Sequence, residues 1–126
     1  MRNEKKGKKG IKRVQSALLY SLEGIRSAWQ DEEAFRQIFI LAIFGFGGSF
    51  FLARSWMEWA ILILPCFLAV MSELVNSAIE NAVDFTGIEF NPFAKKAKDM
   101  GSAVQFFACI FWVLIWGGYV LERFLL

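Results

Sequence analysis

Glu73, Asn76, Glu80 and Asp84 fall within one short stretch, "SELVNSAIENAVD" at 72–84, which continues an apolar run without a turn signal. On a helix at about 100° per residue, Asn76, Glu80 and Asp84 lie at roughly 300°, 340° and 20° from Glu73. All four share one face, with Ser77 beside them and Asn81 displaced. Two further clusters carry compatible groups. "QDEEAF" brings Asp31, Glu32 and Glu33, and "KKAKDMGS" brings Lys98 and Asp99. Carboxylates from two helices together with a lysine suit Mg²⁺ and a polyphosphate, because magnesium takes one or two carboxylates and leaves the rest to water and phosphate. A separate carboxylate, deeper in apolar surroundings, suits a general base. The plainer alternative is that Asn and Ser here join helices by hydrogen bonds. That accounts for a lone Asn better than for two Glu, one Asn and one Asp in register.

The elements that must position these residues are read from uncharged runs. Seventeen residues separate Arg36 from Arg54, fourteen separate Glu58 from Glu73, and twenty-two separate Asp99 from Glu122. A bilayer core needs about 20 helical residues. The third run suffices alone, and the first spans with help from a snorkelling Arg. The second reaches the length only by continuing through "ELVNSAIENAV". A Glu near mid-membrane costs about 2.5–3.5 kcal/mol, and each Leu, Ile, Phe or Val returns only about 0.3–0.6. The polar face of this span therefore needs cover from other protein. Residues 1–10 form a basic lead, residues 11–29 a surface helix, and about 34–54, 57–84 and 99–122 three spans of a single domain. In the surface helix Ile11, Val14, Leu18, Leu22, Ile25 and Trp29 recur every three or four residues, with Lys12, Arg13, Glu23 and Arg26 opposite. The first run begins after about 36 residues and two spans follow, so a cleaved signal peptide is not expected.

Composition agrees. The chain of 126 residues is 56% hydrophobic and only 21% charged, more apolar than a soluble core of this length needs. Twelve of its fourteen Lys and Arg lie before the first run or between the second and third; only Arg54 and Arg123 lie elsewhere. The positive-inside rule then predicts a cytoplasmic N-terminus, an extracytoplasmic C-terminus, and the polar end of the second span at the cytoplasmic level. Cys66 and Cys109 sit in apolar runs without metal-ligand spacing, and there is no histidine; both read as small buried thiols. "GFGG" at 45–48 lies inside a span with no strand before it, so it reads as a close-packing surface. No GxxxxGK[ST] phosphate loop occurs, so any nucleotide chemistry must use another scaffold. No nucleic-acid partner is expected.

The pattern E-x-x-N-S-A-I-E-x-x-x-D, the segment "AWQDEEAFR" and the segment "AKDMGSA", taken together, resemble the prokaryotic diacylglycerol kinase family over roughly residues 11–120. The resemblance implies an all-α membrane protein with an amphipathic surface helix and three transmembrane helices per subunit. It implies a homotrimer in the bacterial inner membrane that uses MgATP to phosphorylate a lipid alcohol at sites shared between subunits. Carried over, Glu73 would be the base, with Asn76 ordering the site. Glu80 and Glu32 would ligate Mg²⁺, Lys98 would meet the phosphates, and Asp99 would help hold the nucleotide. Arg13 and Tyr20 would help bind ATP or lipid, Glu89 and Asn91 would reach the nucleoside, and Trp29 and Ser102 would lie near the lipid. The chain departs from the family pattern at Ile38, where well-known members carry a glutamate, and in the link "EFNPFAKKAKD", which leaves the nucleoside contacts open. The expected reaction is conversion of diacylglycerol to phosphatidic acid. Phosphorylation of undecaprenol, an ion-conducting oligomer and a membrane subunit without chemistry are the alternatives.

Overall fold

A computed structural model describes residues 9–126, so most of the basic lead lies outside the described residues. These residues form four helices and no strand: α1 (Ile11–Asp31), α2 (Glu33–Leu52), α3 (Trp56–Asp84) and α4 (Pro92–Phe124). The last three are long and apolar enough to cross a membrane. The protein is an all-α membrane protein with an amphipathic helix before its spans. The apolar stripe of α1, from Ile11 to Trp29, is exposed in the single chain, as suits a helix lying on a lipid surface.

The break between α1 and α2 is one residue wide. Glu32 adopts an extended conformation (φ −112°, ψ 106°) that ends one helix and opens the next. The last carbonyls of a helix lack partners within it. Here Arg36 supplies them, its Nη1 donating to Trp29 O at 2.9 Å and Gln30 O at 3.0 Å. Ala28 and the fully buried Phe35 pack beneath the junction.

α3 is the middle helix and packs against both α2 and α4. Its buried stripe runs Leu62, Pro65, Cys66, Ala69, Glu73, Asn76 and Ser77, the three-and-four spacing of a helix covered on one face. Two glycines set how close the neighbours come. A Cβ on Gly45 of α2 would lie 2.7 Å from Cys66 Sγ and 2.8 Å from Trp112 Cζ2. A Cβ on Gly101 of α4 would lie 2.5 Å from Asn76 Oδ1. Both are closer than real Cβ contacts, so a side chain at either position displaces the facing side chains or forces the helices apart.

α4 starts earlier than the third uncharged run. Asn91 caps it, its Oδ1 accepting from the N–H of Phe93 (2.8 Å) and of Ala94 (3.3 Å), and Pro92 takes the first helical position. Both are preferred residues there. Lys95, Lys96, Lys98 and Asp99 therefore lie on helix, whereas the sequence reading has the three lysines in a link and Asp99 at the start of the span.

At the end opposite Glu80, a hydrogen-bonded knot ties three helices together. Tyr119 Oη meets Leu52 O at 2.7 Å and Glu58 Oε2 at 2.8 Å. Arg123 Nη1 donates to Leu52 O and to Tyr119 Oη. Glu58 also accepts from the N–H of Arg54 at 2.9 Å, while Ser55 caps α3 by accepting from the N–H of Glu58. The orphan carbonyl at the end of α2 is thus satisfied by α4.

Candidate functional site

The buried stripe of α3 turns polar over its last three turns. Glu73 is only 4% exposed, Asn76 8% and Ser77 5%, while Glu80 is half-buried and Asp84 exposed. The face predicted from periodicity is therefore real, and it runs from the protein interior to open surface. Asn76 links two of its members, with Nδ2 donating to Glu80 Oε1 at 3.3 Å. Its Oδ1, held over Gly101, is enclosed and has no hydrogen-bond partner among the described residues. The Ser77 hydroxyl is likewise enclosed and unpartnered. Buried polar groups are nearly always paired in native proteins, so two orphans on one face beside a glutamate mark this stretch for more than helix packing.

Glu32 joins the cluster from the α1–α2 break. Asn81 Nδ2 donates to Glu32 Oε1 at 2.7 Å and to Ser77 O at 2.8 Å. Between α1 and α3 lies a cavity of about 600 Å³, lined in part by Ser21, Asp31, Glu32, Leu74, Ser77 and Asn81. A cavity of this size holds a lipid headgroup or part of a nucleotide.

Lys98 reaches the same end of the bundle. Its Nζ lies 2.5 Å from Asp84 Oδ1, bridging α4 to the last residue of α3. Asp99 is paired within its own helix, 2.5 Å from Lys95 Nζ. The remaining sequence candidates stand apart. Arg13 and Glu89 are exposed and have no hydrogen bond or ion pair to the cluster among the described residues. Tyr20 is half-buried on α1, and Ser102 is exposed beside Gly101. Asn91 spends its side-chain oxygen on the α4 cap. Trp29 packs edge-on against Phe39, ring centres 5.7 Å apart.

Three contributors escape a reading of the sequence. Asn81 lies off the acidic face, and its partner is forty-nine residues away. Gly101 matters through what it almost touches. Gln105 has both side-chain polar atoms enclosed and without a partner. The contacts of Gly101 with Asn76 and of Trp116 with Leu62 fix the α3–α4 register. Helical rise counted from them sets Gln105 level with Glu73. Each such orphan costs about 1–3 kcal/mol.

Fold and site together define an integral membrane protein with a graded row of carboxylates, one buried and two nearer water, at one end of its central span. The family described as prokaryotic diacylglycerol kinase matches residues 19–120. A protein named diacylglycerol kinase from Helicobacter pylori is 58% identical over 117 residues, 93% of this chain and 91% of the relative. One of the same name from Pseudomonas aeruginosa is 43% identical over 116 residues, 92% of this chain and 94% of the relative. Another from Escherichia coli K12 is 36% identical over 107 residues, 85% and 88% of the two chains. The chain belongs to the prokaryotic diacylglycerol kinase family.

Proposed function

We propose that this chain transfers the γ-phosphoryl group of ATP to the free hydroxyl of diacylglycerol, giving phosphatidic acid and ADP. The observation that carries the reading is the burial of Glu73 within an apolar helix, below two carboxylates that water can reach. Glu73 lies seven positions before Glu80, about 10 Å along the helix. That depth suits a lipid hydroxyl near the interface, and the upper level suits a hydrated triphosphate.

In this reading Glu73 accepts the hydroxyl proton as the lipid oxygen bonds to the γ-phosphorus and the bond to ADP breaks. Asn76 holds Glu80 in place, and Lys98 leaves Asp84 to meet the phosphates. Magnesium fits the residues present. Among the described residues no three acidic, His or Cys side chains form a cage. Glu32 and Glu80 each accept from a neutral amide and keep their charge for a cation. Two carboxylates completed by water and phosphate are an ordinary magnesium donor set. Glu32 and Glu80 would hold the ion, which when bound neutralises phosphate charge. Most of the catalysis then comes from positioning and electrostatics.

The relatives' shared name supports diacylglycerol over undecaprenol as acceptor, and the basic asymmetry supports a site facing the cytoplasm of a bacterial inner membrane. One experiment tests both points. Labelled ATP, which does not cross membranes, is given to inverted vesicles and to intact spheroplasts, each with diacylglycerol or undecaprenol. Phosphatidic acid should label in inverted vesicles alone. Labelling of undecaprenol only, or from outside intact spheroplasts, would overturn the corresponding part.

The reading includes a homotrimer in which a neighbouring copy completes each site. Its support is that Arg13 makes no hydrogen bond or ion pair with the cluster of its own chain among the described residues, and that α2 and α4 expose apolar residues along their length. Mixed trimers of Glu73→Gln and Arg13→Ala subunits should regain part of the activity that each homotrimer lacks. Demonstrated mixed trimers with no activity would make each site self-contained.

A further inference from the structure

We infer that Asn81 is a positioning residue for the cation, setting the Glu32 carboxylate by hydrogen bonding to it across the α1–α3 gap. This rests on the kinase reading and adds to it a residue outside the acidic face.

Glu32 sits at a non-helical break, where the backbone alone does not fix the direction of a side chain. Its backbone is satisfied locally: its N–H donates to Ala28 O at 2.9 Å, and its carbonyl accepts from Arg36 N at 3.2 Å. The side chain is left to Asn81. The orientation of that amide is settled by its surroundings. Its nitrogen faces a carboxylate oxygen at 2.7 Å and the Ser77 carbonyl at 2.8 Å. Both are acceptors, so a flipped amide would oppose oxygen to oxygen at both contacts. The Ser77 bond anchors Asn81 to its own helix, and the other N–H points Glu32 at α3.

The choice of an amide has a chemical reason. A lysine or arginine in this place would neutralise Glu32 and compete with a divalent cation. Asn81 donates one hydrogen bond and carries no charge, so Glu32 keeps one oxygen and its full charge for the metal. Partners that orient a ligand in this way commonly set metal affinity by about 10–100-fold.

The test measures Mn²⁺ binding by electron paramagnetic resonance, on full-length protein in micelles with a non-hydrolysable ATP analogue. Asn81→Ala should weaken Mn²⁺ binding by about 10-fold or more. It should raise the Mg²⁺ needed for half-maximal rate by a similar factor and leave turnover at saturating Mg²⁺ within about twofold of the parent. Asn81→Gln, which keeps the amide on a longer arm, should recover part of the affinity. A purely structural role for Asn81 would lower turnover or the unfolding midpoint and leave the metal requirement unmoved, which overturns the inference. Glu32→Gln separates the two levels. If it weakens Mn²⁺ binding and Asn81→Ala does not, the positioning role fails and the kinase reading stands. If Glu32→Gln leaves Mn²⁺ binding unchanged, the metal assignment falls and the role of Asn81 falls with it.

Discussion

Glu73→Gln should turn over about 10²–10⁴-fold more slowly than the parent while binding MgATP with near-parent affinity. Glutamine keeps the volume and the hydrogen-bonding capacity of the side chain at a position only 4% exposed. It cannot accept a proton from a lipid hydroxyl. The loss therefore falls on the chemical step and spares the nucleotide, which the proposed mechanism sets higher in the row. The unfolding midpoint in the same micelles should hold or rise, because a buried carboxylate costs stability. Glu80→Gln should fail differently. Glu80 is half-buried and tied to Asn76, and as the proposed metal ligand its loss should raise the Mg²⁺ and ATP requirements. Nucleotide affinity and turnover measured for both variants decide the matter. Near-parent turnover by Glu73→Gln would remove it as the base.

Gly101→Ala should lower both stability and activity, although the change is one methyl group. That methyl would lie 2.5 Å from Asn76 Oδ1 and 3.5 Å from Ile79 Cδ1. Either Asn76 turns away and releases Glu80, or α4 retreats from α3. Overpacking of this kind costs about 1–3 kcal/mol, and both responses disturb the acidic face. We expect activity to fall about tenfold or more. Gly117→Ala is the matched control in the same helix, since nothing lies within 4 Å of a Cβ there. It should be neutral or slightly stabilising, because alanine is the better helix former by about 1 kcal/mol. Thermal unfolding and turnover of the two variants side by side give the comparison. Equal behaviour would mean that the α3–α4 contact at Asn76 is not tight.

Much of this was legible in the sequence, for definite reasons. A helix repeats every 3.6 residues, so Glu73, Asn76 and Glu80 declare their common face without any tertiary information. The three spans declare themselves by their uncharged runs. The start of α4 was harder, because Pro92 and the following lysines resemble a link. The Asn-Pro pair was nevertheless a cap and a first helical position, and the i,i+4 pair Lys95–Asp99 follows from it. The bond between Asn81 and Glu32 has no periodic signature, since it depends on how α1 folds back toward α3. The orphaned amide of Gln105 is invisible for a similar reason: only the α3–α4 register shows which face of α4 is covered.

The knot of Tyr119, Arg123, Leu52 and Glu58 has a mechanical consequence. It fastens α2 and α4 to each other, and to the start of α3, at the end remote from the carboxylates. The other end is held by links of another kind, among them Asn81 to Glu32, Lys98 to Asp84 and the close approach of Gly101 to Asn76. About 33 Å of helix lies between Glu58 and Glu80, so a tilt of roughly 4° at the knot becomes about 2 Å at the carboxylates. The bundle is built like a lever with its rivet at the knot, so a small change of angle there is felt most at the carboxylates. If the proposed reaction holds, a lipid approaching Glu73 meets the end of the bundle where such a change of angle has its largest effect.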